Sequence, residues 1–341
     1  IFEYFYRIDY RVEDDIPTYR LLSWSIPKLP KLNLKILHYF ISKIMKSYIQ
    51  NFGRPDIIHA HSALWGGEIA LYISKVLKIP YVITEHSSIY ARDLVKSWQE
   101  PYLRRIFENA SLVIGVSSRL LEDISKYFNH KNSDIVPNVV DTDYFTLPTV
   151  KRKKDPFKFL SIALLTPIKG IDILIRAFYE AFRDVDDVVL EIGGDGPSRP
   201  ILESLVKELK MEEKIKFLGM LDRYQVRENM WRANVFVLPS YYETFGVVLI
   251  EAMATGLPVI ATRCGGPEDF VNPKVGSLVE KGNVLELAEE MIKWYKKIKY
   301  STDFHYEEII RDYAVSNFSY RAVAEKLASI YIFILKGNNF L

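Results

Sequence analysis

The sequence predicts an α/β protein built of two doubly wound halves that face a cleft. Three observations carry this expectation: the length of 341 residues, the alternation of short apolar runs with helical stretches, and one break in that alternation between Asp141 and Pro156. The length exceeds what one hydrophobic core usually supports. Short apolar runs between helices imply parallel strands covered on both faces. The break, TLPTVKRKKDP, combines prolines with clustered basic residues and lacks periodicity, which marks a linker.

The chain opens at Ile1 with IFEYFYRI, which reads as a strand. Because it starts inside an element and without a methionine, the N-terminal half is expected to be truncated at its start. From Asn33 to Ile49, Leu34, Leu37, Ile41, Ile44 and Tyr48 recur at the helical period, with Lys35, Lys43 and Lys46 between them. A core-packed helix with a solvated lysine face is the favoured reading, ahead of a basic helix lying on anionic lipid. Strands follow at 56–60, 81–84, 112–116 and 134–137, with helices at 67–77 and 100–109.

Beyond the linker the alternation restarts. Strands are expected at 158–164, 188–192, 215–218, 235–238 and 259–261, and helices at 171–183, 199–209, 225–231, 247–255 and 284–297. The final stretch, Ser319 to Leu335, is helical with an apolar face. The predicted organisation is an N-terminal domain over 1–145, a linker over 146–156, a second domain over 157–318, and a last segment over 319–341. Ligands of doubly wound sheets sit beyond the carboxyl ends of the strands, so the cleft is the expected site.

Composition narrows the class. The chain is 49% hydrophobic and 26% charged, as in an ordinary globular protein. No run approaches the ~18 apolar residues of a spanning helix. A net charge of +2 is too small to signal nucleic-acid binding. The single cysteine, Cys264, excludes a disulfide framework and a thiolate zinc cage. With no secretory signal visible, a cytoplasmic location is expected.

The most informative segment is PSYYETFGVVLIEAMATGLPVIAT, Pro239 to Thr262. It leaves a strand, passes Gly246 and enters a helix whose apolar face is Val247, Leu249, Ile250 and Met253. Glu243 therefore lies in the loop and Glu251 on the helix. Unpaired N–H groups and the positive dipole end at a helix start favour an anion such as a diphosphate. Glycine lets the backbone approach it. Thr244, Phe245 and Gly246 form this binding tip; Glu243 can take sugar hydroxyls on one side and Glu251 ribose hydroxyls on the other.

This segment resembles glycosyltransferase family 4, whose donor domain carries two glutamates separated by seven residues, as in ETFGVVLIE. The flanking PSYYETFG, EAMATGLPVIAT and GGPE are similar to the family, as are KGIDILIRAF from Lys169 and GGDGP, with Gly194 and Gly196, from Gly193. The resemblance runs from about Pro55 to the C-terminus. It implies two Rossmann-like domains in the GT-B arrangement, retention of anomeric configuration, a UDP- or GDP-sugar donor, and no required metal or other cofactor. It further implies that Lys169 holds the donor diphosphate and that a glycine-rich turn such as GGDGP lies near the donor base or phosphate. His86, in TEHSS, would stand beside the transferred sugar, with His61 ranked below it and Ser117 at a cleft position. The last helix would cross back onto the N-terminal domain. The acceptor is expected to be a saccharide or a lipid-linked molecule, with transient peripheral membrane contact and no nucleic acid.

One position departs from the pattern. The family places an arginine five residues before the lysine, and here Leu164 stands there. The missing charge puts turnover in question or calls for a substitute among Arg119, Arg223 and Arg263, which the sequence leaves open. Asp141-Thr142-Asp143 matches the two-aspartate metal motif of another glycosyltransferase fold, but its setting, PNVVDTDYF, resembles the inter-domain segment, so no metal is expected there. His59 and His61 are read as pointing to opposite faces of their strand. Two alternatives stay open: a nucleotide-sugar binding module without transfer activity, and a GT-B-fold epimerase, which the continuous motif set disfavours.

Overall fold

The computed structural model describes residues 6–23, 26, 29–128, 132–300 and 306–337. Residues 1–5 of the expected opening strand lie outside these. The remainder of that stretch belongs to β1 (Tyr6–Glu13), which pairs antiparallel with β2 (Ile16–Ser23). Asp14 and Asp15 both have positive φ, 48° and 62°, as the two central residues of a type I′ hairpin turn require. The hairpin forms its own two-stranded sheet and leans on α1 (Pro30–Phe52), where the Tyr19 hydroxyl meets the Ser47 hydroxyl at 3.1 Å.

The N-terminal sheet is parallel and runs in the order β3 (Ile58–His61), β4 (Tyr81–Glu85), β5 (Leu112–Gly115), β6 (Ser133–Ile135). It is connected by α2 (Glu68–Leu77), α3 (Glu100–Glu108) and α4 (Ser118–Ile124). Each βα unit among the described residues steps to the next strand in one direction. The sequence alternation shows that strands are parallel, but not on which side each new strand is laid.

The second sheet is doubly wound. Its order is β12 (Gly276–Val279), β11 (Val259–Thr262), β10 (Val235–Leu238), β7 (Phe157–Ile162), β8 (Val188–Gly193), β9 (Ile215–Gly219), all parallel. The chain leaves β7 towards β8 and β9, then returns to the other side at β10, which creates a topological switch between β7 and β10. The flanking helices are α5 (Ile171–Phe182), α6 (Arg199–Glu208), α7 (Arg223–Arg232), α8 (Val247–Ala254) and α9 (Val284–Lys299). Strands β10 and β11 are buried at every position, as a parallel sheet covered on both faces demands.

Two helices close the chain: α10 (Tyr306–Phe318) and α11 (Tyr320–Leu335), separated by the N-cap Ser319, whose hydroxyl accepts from Ala322 N. Val323 and Ile330 of α11 pack with Val82, Leu112, Ile114 and Val136, so the last helix covers one face of the N-terminal sheet. Helices α4 and α10 and strand β12 had no counterpart in the sequence reading, because each is short or lacks a clear apolar period.

Candidate functional site

The switch between β7 and β10 brings together the two loops that carry Lys169 and Glu243. Gly170 makes the approach possible: its φ is +61°, and a Cβ there would sit 2.2 Å from the Pro239 carbonyl oxygen. The Tyr241 N–H donates to the Ile168 carbonyl at 2.8 Å and locks the loops together. The Lys169 ammonium then donates to Glu243 Oε1 at 2.6 Å, and the Ser240 hydroxyl donates to the same oxygen at 2.7 Å. Both partners of the ion pair are largely shielded, with 24% of the Lys169 side chain and 12% of the Glu243 side chain exposed. Ser240 is completely buried. A serine three residues before the glutamate was the available signal for this positioning group, and sequence reasoning passed over it.

Glu243 lies in the loop, as expected, and pairs with Gly265 in an isolated parallel bridge. Gly246 caps α8 in the left-handed conformation, φ 94° and ψ 57°, and no side chain bonds to the helix start. The Leu249 N–H donates to the Gly246 carbonyl at 2.9 Å, so the N–H groups of Val247 and Val248 are the ones that face outward from the helix start without a side-chain cap. Val247 at this tip is 40% exposed, and Thr244 is half-buried. Phe245 behaves otherwise: its ring is 2% exposed and packs on Phe270 and Phe318 at centroid distances of 4.8 and 5.9 Å. An apolar ring is better satisfied in the core, so any part of Phe245 in the binding tip falls to its backbone. Burial pushes the Glu251 carboxyl up to about 7, opposed by the charge of Arg223.

Gly194 and Gly196 follow β8 with φ of 113° and 157°. A Cβ at Gly194 would lie 1.9 Å from the Ala163 carbonyl oxygen, and one at Gly196 would lie 2.5 Å from that of Leu165. These glycines let the GGDGP turn press against the strand-end loop that contains Leu164, which is itself 58% exposed. The glycine requirement is therefore one of backbone approach between the loops after β7 and β8.

Across the crevice, the ends of β3 and β4 present three imidazoles in a row. His59 and His61 stack at 4.6 Å, and His61 Nδ1 lies 2.9 Å from His86 Nε2, one ring donating to the other. The expectation that His59 and His61 point to opposite faces is corrected. Residues two apart on a strand share a face, because the side-chain period is two. Burial, with the neighbouring rings His61 and His86, lowers His59 to about 4; it also bonds Thr84 Oγ1 and the hydroxyl of Tyr331 on α11. His61 is lowered by burial, and His86 by burial and by His61, against an opposing pull from Glu85.

Glu85, fully buried at the end of β4, fixes this row. Its carboxylate accepts from the N–H groups of Ala63, His86 and Ser87 at 2.8–2.9 Å and from the Tyr90 hydroxyl at 2.8 Å. It ties the loop after β3 to the loop after β4. One acidic residue closing the apolar strand YVITE was its sequence signal.

The two halves meet through specific polar contacts. Asp269 Oδ2 accepts from Ser118 N at 2.6 Å, the Tyr242 hydroxyl donates to Asp123 Oδ2 at 2.8 Å, and Arg223 donates to Asp141 Oδ2 at 2.9 Å. Asp141 Oδ1 accepts from Tyr144 N, so the DTD segment builds the turn into the linker. Ser117 is the buried N-cap of α4, its hydroxyl accepting from Leu120 N. Among the described residues no group of three or more histidine, cysteine, aspartate or glutamate side chains is arranged to hold a metal ion.

Two parallel α/β sheets joined across a crevice, with an uncapped helix start and a lysine–glutamate pair at the switch point, define a GT-B-type architecture. The family model for Glycosyltransferase Family 4 matches residues 6–144, and that for Glycosyl transferases group 1 matches residues 146–309. The chain belongs to glycosyltransferase family 4.

It is 30% identical over 276 residues to an uncharacterised glycosyltransferase of Methanocaldococcus jannaschii, covering 79% of this chain and 73% of that one. It is 28% identical over 295 residues to one component of the human phosphatidylinositol N-acetylglucosaminyltransferase, covering 86% of this chain and 60% of the relative. A putative teichuronic acid biosynthesis glycosyltransferase of Bacillus subtilis is 29% identical, with 84% and 73% covered. The chain thus spans about three fifths of the human relative and, at 62%, of its fission yeast counterpart. The fold is shared with Anabaena HepE in complex with UDP, at a TM-score of 0.72 and 21% identity over 89% of this chain and 84% of that one. Sucrose-phosphate synthase from Thermosynechococcus elongatus superposes with a TM-score of 0.73 and 24% identity over 97% and 86%.

Proposed function

We propose that this protein is a retaining glycosyltransferase that moves a sugar from a UDP- or GDP-sugar to a saccharide or lipid-linked acceptor, in surface polysaccharide or glycolipid synthesis. The observation that carries the reading is the Lys169–Glu243 pair, 2.6 Å apart, beside the uncapped start of α8. In this reading Lys169 and the α8 N–H groups take the diphosphate, Glu243 orients the donor sugar, and Glu251 holds the ribose. Gly246 admits the phosphates to the backbone. His86 faces the transferred sugar from the other domain. Rate acceleration comes from stabilising the departing diphosphate and from orientation, with no enzymic nucleophile and no metal. The names of the relatives support the acceptor class: one acts on phosphatidylinositol, another in teichuronic acid synthesis. The UDP complex of a structural neighbour supports the donor class.

Calorimetric titration with UDP and GDP tests this. Lys169→Ala and Glu251→Ala are each expected to weaken nucleotide binding about tenfold or more, the value of a hydrogen bond to a charged group. EDTA is expected to leave the wild-type affinity unchanged. If both substitutions left binding as it was, the donor site would be misplaced.

Leu164 favours a second reading. An exposed leucine where the family keeps an arginine removes one diphosphate contact, which fits a nucleotide-sugar binding module without turnover. Donor hydrolysis separates the two: binding without any hydrolysis or transfer supports the module.

A further inference from the structure

The Lys169–Glu243 pair is close to neutral as a unit, so a doubly charged phosphate group entering beside it meets little net positive charge. With leucine at position 164, a second cation has to come from elsewhere, and three arginines lie near the crevice loops. Arg263 is held to Glu280 at 3.2 Å and lines a groove with Pro273, Lys293 and Trp294. Arg223 follows β9, the far edge strand, bonds Asp141 and lies over the Tyr144 ring at 4.4 Å; its charge acts on Glu251. Neither lies against Gly265, the bridge partner of Glu243.

Arg119 does. Although it belongs to α4 of the N-terminal domain, its stem lies against Gly265, the bridge partner of Glu243: a Cβ at Gly265 would be 3.1 Å from Arg119 Cγ and 2.7 Å from the Glu243 carbonyl oxygen. Its Nε donates to Asp123 Oδ1 at 3.0 Å, and the other oxygen of Asp123 accepts from Tyr242, the residue before Glu243. The preceding residue, Ser118, bonds Asp269 of the same donor-side loop. Arg119 is thereby pinned at the seam from both domains. Half of its side chain is exposed, and its two terminal nitrogens have no partner among the described residues.

We propose that Arg119 supplies the second cation to the donor diphosphate in place of the arginine that position 164 lacks. The inference rests on the donor reading above. A guanidinium fixed through Nε presents its two terminal nitrogens as a fork, the geometry that matches phosphate oxygens. Because the arginine comes from the opposite domain, diphosphate binding also ties the two domains together at this seam.

The test is calorimetry with UDP and GDP, and with uridine and guanosine as probes that lack phosphate. Arg119→Ala is expected to weaken the bound diphosphate about tenfold and leave its nucleoside unchanged, which also shows that the variant is folded. Arg119→Lys is expected to recover part of the loss. Lys169→Ala is run alongside. If Lys169→Ala weakens the diphosphate and Arg119→Ala does not, the inference is overturned and the donor reading stands. An equal loss for nucleoside and diphosphate in Arg119→Ala overturns it too. If neither variant changes diphosphate binding, the donor reading itself falls.

Discussion

The carboxyl of Glu251 shows how one residue reports on its surroundings. Burial disfavours its charged form and pushes its pKa from 4.5 up to about 7, so the folded chain keeps a proton that the unfolded chain releases. Folding stability from this group is present below about pH 4.5 and is lost as pH rises towards 7. Glu251→Gln removes the ionisation. Its stability relative to wild type is therefore expected to improve steadily between pH 4.5 and 7 and to stay level above, as measured by thermal melts across that range. A difference that does not vary with pH would show that the carboxyl is solvated. The same pattern that pointed to Glu251 in the sequence could not have given this shift, because the burying atoms come from other elements. His59 makes the same point: its expected orientation failed on strand period alone, and its neighbours Tyr331 and His86 come from distant stretches of chain.

At the level of the element, the loops after β7 and β8 are built around glycines that have no substitute. A methyl group at Gly194 would fall 1.9 Å from a backbone oxygen, at a φ of +113° that other residues avoid. Gly194→Ala is expected to cost about 2–5 kcal/mol of stability, from strain and overpacking together. Denaturant unfolding measures this, and a loss below ~1 kcal/mol would mean that the turn can relax. Helices and strands with a clear apolar period were legible within a residue or two, as for β10 and α5. Helix α4, only seven residues long, was not, and it carries Arg119. Short elements escape because they bury too few residues to show a period.

At the level of the whole molecule, α11 is the clearest long-range tie. It follows the donor domain in sequence, yet Val323 and Ile330 complete the core of the N-terminal sheet, and Lys326 donates to the Ile135 carbonyl. Ile330→Ala is expected to destabilise the protein by about 2–5 kcal/mol, the usual cost of a buried large-to-small change. Because Ile330 itself packs with the strands of the N-terminal sheet, UDP or GDP affinity at low temperature should stay near wild type. Loss of nucleotide binding in a folded Ile330→Ala protein would show that the domains communicate through α11 more strongly than the contacts imply. The apolar face of this helix was evident from its sequence, and no helix among the described residues is long and apolar enough to cross a membrane.

The sequence alone determined that parallel sheets alternate with covering helices, that Glu243 lies in a loop and Glu251 on a helix, and that a lysine and glycine-rich turns accompany them. The first two follow from period, spacing and glycine placement, which are local properties; the last is what the resemblance to the family implies. Only the tertiary structure decided that the N-terminal sheet winds in one direction, that Phe245 turns into the core, that His59, His61 and His86 form one row, and that Arg119 reaches the donor loop. Each of these depends on which strand is laid beside which and on which loops then meet, a choice made by packing between segments tens to hundreds of residues apart.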